Sequence, residues 1–322
     1  MLVNMKQLLE VAKENKFAVG AFNVADSNFL RVVVEEAEKN NAPAIIAVHP
    51  TELDFTKDDF FQYVLARIKN SPVPFVLHLD HGDNMGDVMR AVRCGFSSVM
   101  IDGSLLPFEE NIRVTKEVVD VCHKLGVSVE GELGTIGKTG NSIEGGVSEI
   151  IYTKPEEAEE YISRTGVDTL AVAIGTAHGI YPKDKEPKLR LDILKEIKDL
   201  VNIPLEDKEP KLRLDILKEI KDLVNIPLVL HGGSANPDAE IAAAVEIGIQ
   251  KVNISSDYKY AFYKKCREIL STTELWDANA IYPDCIDAAK EVVKYKMELF
   301  ESIGQVEKYQ QAKTTAWRSE LI

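Results

Sequence analysis

The chain has no run of about 18 apolar residues, which excludes a membrane-spanning helix of ordinary length. Its four cysteines, Cys94, Cys122, Cys266 and Cys285, form no CxxC or ladder pattern, and the first two fall in helix-like stretches. That usage argues against a disulfide framework and for inert, reduced thiols in a cytoplasmic setting. Basic residues are scarce: 38 Lys and Arg stand against 52 Asp and Glu, for a net charge of −14 and a pI near 5.0. A surface of that sign argues against nucleic acid or an anionic membrane as a partner. It also sets a condition. An anionic substrate would need a locally positive pocket, supplied by metal, lysine or backbone N–H groups. The first segment, MLVNMKQLLEVAKENK, reads as an amphipathic helix with charges throughout, not as a signal peptide.

What is present is alternation. Strand-like segments lie at 17–24, 44–50, 74–82, 97–104, 128–134, 168–179, 227–234 and 250–256, separated by helix-like stretches such as FEENIRVTKEVVDVCHKLG and KPEEAEEYISRTG. The last two end at glycine, as helix C-termini commonly do. Eight strands with helical crossovers predict a parallel sheet, and eight is the closing number of a (β/α)8 TIM barrel; an open doubly wound sheet is the alternative. The 322 residues fit one such domain, with an N-terminal helix and C-terminal helices from about 284 onward.

Each predicted strand ends in a polar group: Asn23, His49, Asp80 with His81, Asp102, Glu132, His178, His231 and Asn253. In a barrel these ends share one face, where the chemistry of such folds sits. One histidine at such an end would most simply be a hydrogen-bonded core residue. Three that precede glycine, His81, His178 and His231, point instead to a metal centre. Imidazole suits zinc, and three protein ligands leave a position open for substrate or water. Asp80 beside His81 should lie on the opposite strand face unless the strand ends there, so one of the two must be presented by the turn.

One segment breaks the pattern. DKEPKLRLDILKEIKDLVNIPL occurs at 184–205 and again, without a mismatch, at 207–228. Two identical copies point to a tandem duplication rather than a solenoid. His178 and His231 lie 53 residues apart, of which 23 belong to the surplus copy, leaving a normal strand–helix–strand spacing of 30. The barrel needs one such helix between strands six and seven. The surplus copy either bulges above strand six, near the site, or hangs at the opposite face before strand seven; the second arrangement, which keeps the loop after His178 as it would be without the duplication, is the expected one.

Turns rich in glycine and serine follow strands seven and eight: His231-Gly232-Gly233-Ser234 and Asn253-Ile254-Ser255-Ser256. In barrels these turns hold phosphate through backbone N–H groups and hydroxyls. The segment GTIGKTGNSIEGGV, from Gly134 to Val147, is long and glycine-rich enough to serve as a lid, and Glu144 is its one carboxylate.

Taken together, HLDHG (78–82), IDGS with FEENIRVTKEVV (101–119), VEGELG (129–134), AVAIGTAHG (171–179), LVLHGGS (228–234) and KVNISSD (251–257) resemble the class II, metal-dependent ketose-bisphosphate aldolases across nearly the whole chain. The resemblance implies a barrel that reversibly cleaves a ketose phosphate into dihydroxyacetone phosphate and an aldehyde through a zinc-stabilised enediolate. It implies Zn2+ on His81, His178 and His231, with Glu132 as an alternative or supporting partner, and admits a monovalent cation. Asp80 would exchange a proton with the hydroxyl at the cleavage carbon, and Glu144 would move the other proton. Gly179, Gly232, Gly233, Ser234, Ser255 and Ser256 would hold the phosphate, and Asn253 and Asn23 the rest of the substrate. The resemblance also implies a homodimer or homotetramer in the cytoplasm.

Departures from the family pattern fall on the distal half of the substrate. Ile286 in DANAIYPDCIDAAKE stands near the position of a phosphate-binding arginine, His49 replaces a small hydroxyl residue, and Pro182 stands where a lysine is common. Fructose bisphosphate, tagatose bisphosphate and an unphosphorylated acceptor aldehyde all remain open. No lysine stands at a strand end apart from Lys251 near the start of strand eight, so an imine mechanism has no obvious candidate. A zinc-dependent barrel hydrolase is the rival reading, and an aldolase-like protein impaired by the duplication is a third.

Overall fold

The computed structural model describes residues 1–138, 151–178 and 212–315. The chain opens with α1 (Met5–Glu14), whose N-terminus is closed by a reciprocal capping box between Asn4 and Gln7. Besides a short Gly137–Lys138/Ala177–His178 pair, eight barrel strands follow: β1 (Val19–Asn23), β2 (Ala44–Val48), β3 (Phe75–Gly82), β4 (Ser98–Ile101), β5 (Ser128–Leu133), β6 (Thr169–Val172), β7 (Leu228–Leu230) and β8 (Ile249–Ile254). All pair in parallel and close in the order β1-β8-β7-β6-β5-β4-β3-β2. The open sheet is thereby ruled out. Every barrel-strand residue is buried, as expected where helices cover the outside and side chains fill the inside.

The outer layer holds α2 (Ser27–Asn40), α3 (Pro50–Thr56), α4 (Phe60–Lys69), α5 (Met85–Arg93), α6 (Phe108–Cys122), α7 (Pro155–Thr165), α8 (Leu214–Leu223) and α9 (Asp238–Ile247). After β8 come α10 (Ser256–Thr272), α11 (Ala278–Leu299) and α12 (Val306–Thr315), with α11 packed on α2 and α10. Among the described residues no helix is long and apolar enough to cross a membrane. Gly126 and Gly166, which end the α6 and α7 segments, have φ of 70° and 75°, the left-handed conformation that only glycine adopts cheaply.

Two apolar layers fix which end of the barrel is open. The larger lies between strands and helices. The smaller joins Met5, Leu8 and Leu9 of α1 to inward-facing Val19, Ala21, Ile45, Ala47 and Val76, with Phe17 and Tyr309 alongside. Helix α1 therefore plugs the N-terminal mouth, and the Tyr309 hydroxyl ties it down by donating to the Leu8 carbonyl at 3.0 Å. Solvent and ligands are left the other mouth, where the polar strand ends are.

The repeat departs from expectation. The second copy fills the helix layer: α8 lies between α7 and α9 with Leu217 and Ile220 fully buried. Its approach is fixed by Arg213 N–H donating to the Ile174 carbonyl at 2.7 Å and Leu212 N–H donating to Glu240 at 2.8 Å. The physical reason is continuity. The second copy runs through 224–227 straight into β7, where the Pro227 carbonyl accepts from Leu170 N–H at 3.2 Å, so it retains the short helix-to-strand link such units prefer. The first copy lies outside the described residues.

Candidate active site and metal centre

Strand β3 provides both Asp80 and His81, and the backbone shows how. His78 and Asp80 face the barrel interior by ordinary alternation. At His81 the chain turns to φ 51°, and the pairing with β4 slips between Leu79 and Gly82, so the imidazole swings inward as well. Gly82 must be small there, because a Cβ would stand 2.6 Å from the Met100 carbonyl oxygen. The His81 ring is then locked by Asp102, whose carboxylate accepts from Nδ1 at 2.8 Å and is itself held by the Ser104 hydroxyl at 2.6 Å.

Three imidazoles converge. Ring centroids of His81 and His231 are 4.4 Å apart, those of His81 and His178 5.0 Å, and those of His178 and His231 6.3 Å. Each offers a nitrogen within 4.8 Å of the other two. A second set, His81, Asp102 and Glu132, meets the same limit and shares His81. His81 Nε2 and Glu132 Oε2 are buried at this point with no hydrogen-bond partner. Buried polar atoms are rarely left so unless something else completes them, and these donor types suit zinc. The residues therefore fit a divalent metal. Lone acids next to one another also explain the titration. Burial pushes the Glu132 carboxyl well up, and Asp102 nearby adds to it. Burial would lower the His81 imidazole, but the Asp102 hydrogen bond and the charges of Asp80, Asp102 and Glu132 raise it to about 10.

Asp80 sits beside this cluster, clamped by two amides. Asn23 Nδ2 donates to Oδ2 at 2.8 Å and Asn253 Nδ2 to Oδ1 at 2.9 Å. Burial alone would raise its carboxyl, yet the charges of His81, His231 and Lys251 hold it well below the usual range. Asp80 is thus an ionised, oriented carboxylate at the edge of the cluster. Asn23 and Asn253, expected to touch substrate, hold this carboxylate in the structure, and Asn253 Oδ1 remains unpartnered.

The turns after β7 and β8 meet at one side. Gly232 has φ 63°, and a Cβ there would lie 2.8 Å from the Ala177 carbonyl oxygen. Gly233 N–H donates to the Asn253 carbonyl at 3.0 Å, and Ser255 N–H donates to the Ser234 hydroxyl at 3.3 Å. Ser256 opens the 17-residue α10, whose N-terminal N–H groups favour an anion. Lys259, one turn in, donates to Ser255 Oγ at 3.1 Å and pairs with Glu52. The Lys259 charge is thus already paired, and the N–H groups at the start of α10 are what this side offers an anion. Gly179 and Glu144 lie outside the described residues.

His49 is not among the converging ligand atoms, but it lines the same cavity, its ring centroid 6.2 Å from that of His81. It caps α3, its Nδ1 accepting from Thr51 N–H at 3.2 Å. Sequence reasoning missed what lies one layer deeper. Glu130, His78 and Lys251, all fully buried, each stand two positions before a site residue on the same strand. That period of two was the available signal. Lys251 Nζ donates to both Glu130 oxygens at 2.9 Å and to His78 Nε2 at 3.2 Å, so its three donors are occupied and no free amine faces the site.

A closed barrel with three converging imidazoles beside a clamped carboxylate defines a metal-dependent barrel enzyme. The family model for class-II fructose-bisphosphate aldolase matches residues 3–206 and 205–305, and the chain belongs to that family. It is therefore an aldolase, a carbon–carbon lyase, and the hydrolase reading falls away. The chain is 36% identical over 311 residues to a fructose-bisphosphate aldolase of Geobacillus stearothermophilus, covering 94% of this chain and 98% of that one. It is 35% identical over 305 residues to a fructose-bisphosphate aldolase of Staphylococcus aureus strain Mu50, covering 93% and 97%. Among solved structures, the YdjI aldolase of Escherichia coli K12 superposes with a TM-score of 0.77 at 31% identity, covering 95% and 100%.

Proposed function

We propose that the chain is a zinc-dependent aldolase that reversibly cleaves a ketose phosphate, fructose or tagatose bisphosphate first among them, to dihydroxyacetone phosphate and an aldehyde. The observation that carries this reading is the unpartnered His81 Nε2 facing His178 and His231 beside the clamped Asp80. A zinc ion held by the three histidines supplies a Lewis acid for the ketose carbonyl and for the negative charge that cleavage leaves on it. Asp80 takes the proton from the hydroxyl at the cleavage carbon, its low pKa being offset when substrate displaces water from the site. Glu144 is assigned the second proton transfer. Gly179, Gly232, Gly233, Ser234, Ser255 and Ser256 are assigned the phosphate, supported by the meeting of the two turns at the α10 N-terminus. Glu132 is assigned the alternative metal position, supported by its unpartnered oxygen. The chain is further read as one 1–322 barrel domain acting as a cytoplasmic homo-oligomer.

The test is a panel of ketose mono- and bisphosphates scored for dihydroxyacetone phosphate release, with and without a chelator. Release from at least one substrate, abolished by chelator and restored by zinc, is expected. Borohydride added with substrate should leave the protein's mass unchanged. A covalent adduct on a lysine would overturn the metal route.

A further inference from the structure

The buried Lys251–Glu130 pair has a consequence for the metal centre. Lys251 Nζ donates to both Glu130 oxygens and to His78 Nε2, which fixes the protonation of its neighbours. His78 accepts at Nε2, so its proton is on Nδ1, facing the Ser98 hydroxyl at 2.9 Å. Both Glu130 oxygens accept from the Lys251 ammonium at 2.9 Å, the geometry of a charge-paired carboxylate. An ionised carboxylate can only accept. The 2.9 Å contact between Glu130 Oε1 and His231 Nε2 therefore places the His231 proton on Nε2. The lone pair is left on Nδ1, the nitrogen 3.2 Å from Asn253 Nδ2 and 3.8 Å from Asp80.

We infer that Glu130 and Lys251 are positioning residues that hold His231 as its Nε2–H tautomer, presenting Nδ1 to the metal from one layer below the site. Neither residue touches the cluster face. Lys251 acts through Glu130, and Glu130 through the far nitrogen of the ligand. The Thr169 hydroxyl, donating to Glu130 Oε2 at 3.3 Å, completes the carboxylate's partners. Partners of this kind on the second ring nitrogen orient a ligand and raise its basicity, and losing one typically weakens metal binding about 10–100-fold. The inference rests on the zinc reading for its affinity consequence, but not for the tautomer.

The test separates the two. In wild-type protein stripped of metal, the ring nitrogens of His231 are read by 15N NMR, assigned against His231→Asn. A protonated Nε2 is expected, and a protonated Nδ1 overturns the inference whatever the metal does. Zinc affinity is then measured by chelator competition in Glu130→Leu/Lys251→Met, which removes both charges and so orphans neither. Affinity should fall about 10–100-fold with folding retained, and Glu130→Gln/Lys251→Met, which keeps an acceptor oxygen, should recover most of it. Affinity within about twofold of wild type in both folded doubles would make the pair merely structural. Should the Leu/Met variant fail to fold, the wild-type tautomer and the Gln/Met affinity still decide. Failure of wild type to bind zinc at all would instead count against the function proposed above.

Discussion

Two copies of one sequence segment compete for a single helix position in the barrel, and the second occupies it. Leu217 of the second copy is fully buried in the α8 slot, while Leu194 is its identical counterpart in the first. Replacing Leu217 by alanine removes a buried side chain and leaves a cavity, at a cost of about 2–5 kcal/mol. At roughly 2.1 cal/mol/K of unfolding entropy per residue, a chain of 322 residues loses about 3–7 °C in Tm for that cost. Leu194→Ala should move Tm by less than about 1 °C, because the α8 slot is already filled by the second copy. The assay is differential scanning fluorimetry or calorimetry of wild type, both single variants and the double variant, at matched scan rates because large proteins often unfold irreversibly. Equal shifts for the two single variants would refute the assignment. Near-silent single variants with a full loss in the double would mean that either copy fills the slot.

Asp80→Ala should keep its metal, since Asp80 is not among the converging ligand atoms, while aldol cleavage falls about 10²–10⁴-fold; metal analysis with a dihydroxyacetone phosphate assay checks both, and full turnover rejects the role. Gly232→Ala should destabilise by about 1–2 kcal/mol for the left-handed backbone alone. It should also weaken zinc binding, because the new Cβ pushes on Ala177 beside His178; unchanged chelator competition would count against that coupling. His78 gives a pH effect. Burial, with Lys251 beside it, lowers its imidazole to about 3, so the unfolded chain binds a proton that the folded chain refuses between there and 6.5. Its contribution to stability is whole above 6.5 and shrinks by up to about 1.4 kcal/mol per pH unit as pH falls toward 3. Denaturant midpoints of wild type should therefore fall more steeply than those of His78→Gln from pH 6.5 to 4.5, and parallel curves would contradict the burial argument.

The barrel was legible because its signals are redundant. Eight apolar runs, helices ending at Gly126 and Gly166, and a polar residue at each strand end agree on one architecture. The convergence of His81 and His231 follows from that, since strand ends in a closed barrel share a mouth; His178 instead comes from beyond β6, on a short Ala177–His178 strand paired with Gly137–Lys138. Strand alternation made it legible that the turn must present either Asp80 or His81; that it is His81 was not, because this depends on a non-glycine residue at φ 51° and a slipped register, neither of which has a residue pattern. Glu130 and Lys251 were overlooked for a different reason. Charges in the middle of strands read as interruptions unless each is matched to a partner on a distant strand, and Glu130 and Lys251 are 121 residues apart. The repeat could not be placed from sequence because its copies are identical; the short link through 224–227 into β7 decides it. The expectation rested on preserving the loop after His178, and the short link before β7 outweighs it.

The most direct test of the central claim is the metal dependence of carbon–carbon cleavage. Purified chain is stripped with a chelator, titrated with zinc, and followed for dihydroxyacetone phosphate release from the substrate that the panel selects. Activity should vanish on stripping, return in proportion to about one zinc per chain, and fail to return in His81→Ala, His178→Ala or His231→Ala. Undiminished cleavage by the metal-free chain, or full restoration in a variant lacking one of the three histidines, would contradict the account.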